Sequence, residues 1–235
     1  MCGRFTLRTP AAELARLFTD LHCPDLVSPD LGLFQPRFYI APTQNVLVIR
    51  SATHDSGCEV ATLRWGLIPS WSKTLTGPPL INARSETVAE KPSFRTAFRR
   101  RRCLIPADGF YEWQALTPKQ KHPQYITLRS GQPFALAGLW ESWQSPDGSR
   151  VESCTILTTA ANALMQQFHD RMPVILSPDE FAPWLDPELS EPAALLPLLD
   201  QYPPDEMLVF PVSTRVNSVK NDSPELILPI ESGGV

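Results

Sequence analysis

The residues best placed for covalent chemistry stand at the start of this 235-residue chain, in Met1-Cys2-Gly3-Arg4. Methionine is normally trimmed when the next side chain is small, and Cys2 is small. A chain that begins at Cys2 carries a thiol and a free α-amine on adjacent carbons. Such a pair captures an aldehyde twice: the amine forms a Schiff base, and the thiol closes it into a five-membered thiazolidine. The α-amine, with an ordinary pKa of about 7.7–8.0, is partly unprotonated near neutral pH, and a thiol near ~8.5 is readily tuned toward the thiolate. A cysteine at position 2 is common by chance, so it informs only if partners exist elsewhere.

Partners of suitable chemistry are scattered along the chain, each with a bland alternative. Glu112, in Phe110-Tyr111-Glu112-Trp113, is a carboxylate among aromatics. Desolvation there raises its pKa and suits proton transfer during imine formation; the alternative is a charge on the wet face of a strand. His169 is the only histidine in a dense polar cluster and can shuttle a proton to or from a sugar oxygen, unless it is structural. Asn82 can hold the α-amine through its side-chain oxygen, or simply serve a turn. Arg4, Arg84 and Arg171 can fork onto phosphates, or pair with surface carboxylates. Trp65 and Trp71 can stack bases at ~1–3 kcal/mol each, or lie in the core.

The elements that must position these residues are short. Thr9 reads as an N-cap and Pro10 as the first turn of a helix carrying Leu14, Leu17 and Phe18 on one face. Residues 22–38 are Pro- and Asp-rich and read as a loop. Strands are expected at Asn45–Arg50 and Glu59–Trp65, with a polar turn around Asp55-Ser56-Gly57. Lys73–Pro79 reads as a loop. Ser93 is expected to cap a helix bearing Phe94, Ala97 and Phe98, and ending in Arg99–Arg102. Those arginines suit either the helix dipole or phosphates. Strands follow at Cys103–Ile105, Phe110–Gln114, Gln124–Leu128, Phe134–Trp143 and Ser153–Thr159, the last two joined by an Asp147-Gly148 turn. A short helix is expected at Asn162–Gln167 and a strand at Val174–Leu176. Ser177-Pro178-Asp179-Glu180 is a capping box for a helix reaching about Leu185. Another short helix fits Ala193–Leu199, and strands fit Leu208–Val212 and Glu225–Leu228. No linker or repeat divides the chain. The pattern predicts one α+β domain over 1–235, its last few residues a tail, with a largely antiparallel sheet that can close into a barrel and short helices flanking it.

Composition narrows the setting. No apolar run approaches the ~18 residues of a membrane span, and the N-terminus lacks a signal-peptide pattern. Five cysteines (Cys2, Cys23, Cys58, Cys103, Cys154) are odd in number and contain no CxxC, which suggests neither a disulfide framework nor a zinc site, and fits a reducing cytoplasm. The net charge of −4 argues against nucleic acid, yet it is unevenly distributed. Residues 1–110 are net +5 and residues 111–235 net −9, which suggests a face that meets an anion, although halves of a sequence need not map to faces.

Seven blocks in order carry a resemblance over essentially the whole chain. They are Met1–Phe5, Trp65–Trp71, Ile81–Thr87, Cys103–Trp113, Thr158–Asn162, His169–Pro173 and Val216–Lys220. The sequence resembles the SRAP (SOS response-associated peptidase) family, which processes abasic sites. The resemblance implies a thiazolidine crosslink between Cys2 and abasic sites in single-stranded DNA. It implies Cys2 as nucleophile, Asn82 as the group positioning its amine, Glu112 as acid/base, and His169 as the proton donor that helps open the sugar. The same Glu and His positions imply lyase (β-elimination) and crosslink-reversal activity, and the family name implies a peptidase, with autocatalytic removal of Met1. Arg4, Arg84 and Arg171 match positions that grip the DNA backbone, and Trp71 a position that meets the bases. Two departures touch the DNA-facing side: Ser72 where some members carry a second Trp, and Tyr39 where members often carry Asn before Ile40-Ala41-Pro42. The expected protein is a monomer without metal or cofactor, acting in the cytoplasm and at the nucleoid. The alternatives are a thiol peptidase or N-terminal-nucleophile hydrolase acting on proteins, and a passive single-strand binder.

Overall fold

The computed structural model describes residues 2–21, 23, 26, 35–52, 57–74, 77–117 and 120–230. In chain order these form β1 (Phe5–Leu7), α1 (Ala11–Leu17), β2 (Arg37–Ile40), β3 (Asn45–Ser51), β4 (Cys58–Trp65), β5 (Asn82–Arg84), α2 (Arg95–Arg100), β6 (Arg102–Ala107) and β7 (Gly109–Thr117). There follow β8 (Gln120–Leu128), β9 (Phe134–Gln144), β10 (Arg150–Ala160), β11 (Arg171–Pro173), β12 (Ile175–Leu176), α3 (Pro178–Leu185), α4 (Pro192–Leu195) and β13 (Met207–Pro211). The fold is α+β, with antiparallel sheets forming a barrel-like core and a few short helices.

One sheet runs β13-β8-β7-β1-β2. In the other, β10 pairs with β4, β4 with β3, β3 with β6 and β6 with β9, and β9 returns to β10, so the path closes on itself. Closure removes free edges and explains why these strands are apolar on both faces: Val48, Ile49, Leu104, Ile105, Leu136 and Ile156 are all fully buried. Two pairings are parallel, β10 with β4 and β10 with β5. A second, smaller cluster of Tyr39, Tyr111, Tyr125, Val212, Val216 and Leu226 packs on the first sheet. Gly109 is required there: a Cβ would stand 2.3 Å from the Tyr125 ring, whose hydroxyl reaches Thr6 Oγ1 at 2.7 Å.

Several elements differ from the sequence reading. Thr9 does not cap α1; its hydroxyl and amide go to the buried carboxylate of Asp108, and Pro10 takes the cap position. Ser93 does not cap α2, whose N-cap is Phe94. Residues Pro224–Ile227 form a 3-10 turn instead of a strand, because Pro224 pre-sets a helical φ at the first position. The expected helix at Asn162–Gln167 is a single 3-10 turn, Met165–Gln167. Cys23 and Cys58 form a disulfide, their Cα atoms 4.9 Å apart, a pairing made by tertiary approach across a separation of 35 residues that spacing does not announce. The capping box is as expected, with the Ser177 amide donating to the Glu180 carboxylate at 2.8 Å. Most of the expected loop at 22–38, the turn around Asp55, and the tail beyond residue 230 lie outside the described residues. No helix among the described residues is long and apolar enough to cross a membrane.

Candidate active site

Cys2 lies just ahead of β1 and is fully buried. β1 runs antiparallel to β7, with Phe5 opposite Phe110 and the Tyr111 amide donating to the Arg4 carbonyl at 3.0 Å. One step further along both chains brings Cys2 and Gly3 to Glu112. Burial pushes the Cys2 thiol up to about 12, and the neighbouring Glu112 carboxylate adds to the rise. Glu112 is itself buried, and desolvation raises it above the usual carboxylate range, with His169 among the groups that oppose the rise. The wet-face alternative for Glu112 therefore does not apply: Gly109 to Glu112 are all buried, so this stretch of β7 has no wet face.

Asn82 opens β5, which is held parallel to β10 by the pairs Ile156–Asn82 and Thr158–Arg84. Its Nδ2 donates to the Cys2 carbonyl at 2.9 Å, while its buried Oδ1 has no hydrogen-bond partner among the described residues. A buried acceptor of this kind favours a donor on an incoming or newly exposed group. His169 follows the 3-10 turn, its amide donating to the Met165 carbonyl at 2.9 Å, and its Nδ1 accepts from the Arg171 amide at 3.0 Å. Four residues spread over 168 positions thus converge: Asn82 on Cys2 by a hydrogen bond, Glu112 on Cys2 and His169 on Glu112 within electrostatic reach. Among the described residues no cluster of three or more His, Cys, Asp or Glu side chains is placed to hold a metal.

The candidate DNA contacts are less uniform. Arg84 is exposed at the end of β5. Arg4 is half-buried, its Nε donating to the Tyr39 hydroxyl at 2.5 Å, so one of the two departures from the family pattern touches this arginine directly. The other, Ser72, is a turn residue whose carbonyl accepts from Trp143 Nε1 at 2.6 Å. Trp71 is 64% exposed, its indole N–H reaching the Pro92 carbonyl at 3.4 Å, whereas Trp65 is fully buried against Phe5 with ring centroids 5.2 Å apart. Arg171 is not a free fork: its side chain is 11% exposed and both terminal nitrogens donate to Glu86. The arginine run after α2 is also largely engaged. Arg102 is buried and donates to the carbonyls of Phe98 and Arg99 at the end of α2 and of Trp184 and Asp186 at the end of α3. Arg101 pairs with Glu141 at 2.6 Å, and Arg99 with Glu191 at 3.7 Å. Sequence reasoning missed Glu86 and the Tyr39 hydroxyl. The only available signal was their position, Glu86 inside the Ile81–Thr87 block and Tyr39 at a departure.

The sequence profile described as SOS response associated peptidase (SRAP) matches residues 1–219. The chain is 46% identical to the abasic site processing protein YoqW of Bacillus subtilis, over 97% of this chain and 99% of that one. It is 33% identical to the abasic site processing protein YedK of Escherichia coli, over 98% and 100%. It is 31% identical to the abasic site processing protein HMCES of Rattus norvegicus, over 98% of this chain and 76% of the relative. A crystal structure of a protein from Bacteroides thetaiotaomicron superposes with a TM-score of 0.82 at 26% identity, covering 97% of this chain and all of that one. With residues 1–219 matched by the family profile and a relative 46% identical over 97% of its length, the chain belongs to the SOS response associated peptidase family.

Proposed function

We propose that this protein processes abasic sites in single-stranded DNA by forming a thiazolidine through Cys2. The observation that carries the reading is the convergence of Asn82, Glu112 and His169 on Cys2. With Met1 removed, the α-amine of Cys2 meets the unpartnered Oδ1 of Asn82, which orients its lone pair toward the open-chain sugar aldehyde. His169 donates a proton to the ring oxygen as the sugar opens. The amine attacks the aldehyde carbon, the carbinolamine loses water, and an imine forms. The thiol then adds across the carbon–nitrogen double bond: a carbon–sulfur bond forms, the thiol proton leaves by way of Glu112, and the imine nitrogen gains a proton. Nothing is oxidised or reduced.

A thiol held near 12 enters as the neutral S–H, so the amine acts first and the sulfur closes the ring. Lyase, crosslink-reversal and Met1-removing activities belong to the same proposal, since Glu112 and His169 are the acid and base any of them would use. The test is to mix the protein, confirmed to begin at Cys2, with a single strand carrying one abasic site and with the intact strand, then separate on a denaturing gel. A shifted band with the abasic strand alone, absent in Cys2→Ala, supports the reading. A band that survives Cys2→Ala, or none from correctly processed protein, sinks it.

A further inference from the structure

The loop between β4 and β5 carries Trp71, whose side chain is exposed. The loop is pinched at its base. Gly66 enters it at a φ of +129°, where a Cβ would stand 2.7 Å from the Cβ of Pro79. Leu67 then bridges to Leu80, its amide donating to the Leu80 carbonyl at 3.1 Å. The Ser72 amide donates to the Pro69 carbonyl at 2.9 Å, which closes a four-residue turn with Trp71 in its third position. The indole N–H of Trp71 makes a long bond, to the Pro92 carbonyl at 3.4 Å. A bond of that length holds a ring weakly, so the direction of the indole is set by the backbone that carries it.

That backbone is held by two side chains from the barrel. β9 and β10 pair Trp143 with Val151 and Glu141 with Ser153, so Trp143 and Ser153 stand on one face of the sheet. Trp143 is buried and donates its indole N–H to the Ser72 carbonyl at 2.6 Å. Ser153 is fully buried, and its Oγ accepts from the Ile68 amide at 2.9 Å. The two bonds grip the turn on either side of the exposed indole. β10 also reaches the loop through its backbone, but at Gly66, whose amide donates to the Cys154 carbonyl at 2.8 Å. Nearer to Trp71 the side chains of Trp143 and Ser153 take over the anchoring. A phenylalanine would fill most of the space of Trp143; what the indole adds is the N–H.

We propose that Trp143 and Ser153 are positioning residues for Trp71. They hold its turn in the conformation that stacks on a base beside the abasic site, so that binding does not have to order the loop. Ordering a loop side chain on binding weakens affinity by roughly three- to tenfold. Neither Trp143 nor Ser153 touches the strand. The inference rests on the reading of this protein as one that meets single-stranded DNA.

The experiment uses wild type, Trp143→Phe, Ser153→Ala, Trp71→Ala, and Trp71→Ala combined with Trp143→Phe. Affinity for an undamaged single strand is expected to fall roughly tenfold or more in Trp71→Ala. It should fall roughly three- to tenfold in Trp143→Phe, with Ser153→Ala in the same direction. The double variant should bind no more weakly than Trp71→Ala, since a loop without its indole has nothing to position. Crosslinking of an abasic strand should need more strand for half-saturation in Trp143→Phe, with the maximal rate within about twofold of wild type. Trypsin reads the loop without DNA. Lys73 is exposed two residues past Trp71, and cleavage after it should speed up several-fold in Trp143→Phe while cleavage elsewhere does not. If Trp143→Phe fails to fold, Ser153→Ala, which releases the other side of the turn, supplies the same comparisons. Additive losses in the double variant overturn the proposal. So does unchanged affinity in the folded anchor variants, or an unchanged cleavage rate after Lys73. Absence of crosslinking in wild type would instead remove the proposed function, while the trypsin comparison, made without DNA, still decides whether the two side chains hold the loop.

Discussion

A carboxyl kept from water binds its proton more tightly than the same group in the unfolded chain, and Glu112 is such a group. Its folded-state pKa is raised, so the folded protein is favoured below the ordinary carboxylate value and loses that contribution as pH rises through the raised one. Glu112→Gln removes the titration. It is expected to stabilise the protein at neutral pH, read as a rise in Tm, with the gain shrinking as pH falls through the raised pKa and gone below the ordinary carboxylate value of about 4. Thermal unfolding of both forms at neutral and acid pH checks this; a gain that grows toward acid would contradict the assignment of burial as the cause. The same variant should lose crosslinking. A site residue that is better for stability when replaced is the mark of a group retained for chemistry. Asn82 makes the complementary case. Asn82→Ala deletes a hydrogen bond to the Cys2 carbonyl and is expected to cost about 1 kcal/mol of stability. Its crosslinking rate should fall by roughly 10–100-fold from lost orientation. A rate unchanged within error would release Asn82 from holding the amine.

At the level of elements, two features have stability consequences that can be measured. Arg102 ties the ends of α2 and α3 together through four carbonyl oxygens. Removing it strands buried acceptors, so Arg102→Ala is expected to cost about 2–4 kcal/mol, with Arg102→Lys recovering little because an ammonium cannot reach both helix ends. The second is the turn Ala41-Pro42-Thr43-Gln44, where Thr43 has a φ of +72° and the Gln44 amide donates to the Ala41 carbonyl at 3.2 Å. A β-branched residue is strained there, so Thr43→Gly should stabilise by roughly 1 kcal/mol, read as a rise in the denaturant midpoint at unchanged slope. Elements were legible in proportion to how locally they are specified. The β-branched runs of β3 and β4 and the Ser177–Glu180 capping box are local, and they appear where the sequence puts them. The Arg99–Arg102 run was ambiguous, since a guanidinium that caps two helices and one that meets phosphate look alike until the second helix is in place. The Cys23–Cys58 pair, Thr9's turn toward Asp108 and the Glu86–Arg171 fork are all contacts between distant segments, invisible to spacing. The residues around Cys2 were legible for a different reason: seven ordered blocks gave a resemblance, and the geometry then gathered four of its residues.

Across the whole molecule, the uneven charge bears on how a strand would be held. Of Arg4, Arg84 and Arg171, Arg84 is exposed, as is Trp71, while Arg4 is half-buried on the Tyr39 hydroxyl and Arg171 pairs with Glu86. Noncovalent binding of an undamaged strand should then be modestly salt-dependent, falling roughly tenfold between about 50 and 200 mM salt. Trp71→Ala should cost about 1–3 kcal/mol of that affinity with little change in Tm. A flat salt response removes the arginines from the role, and an unaffected Trp71→Ala removes the stack. The burial of Cys2 also has a consequence in time. The partners that enclose it are Asn82, Glu112 and His169, the first 80 residues downstream and the last near the end of the third quarter of the chain. At about 5–20 residues per second, translation takes roughly 10–30 s to deliver the last of them. Through that interval Cys2 is made but not yet buried, so on the proposed function the site, its removal of Met1 included, is armed only when synthesis of the barrel is nearly done.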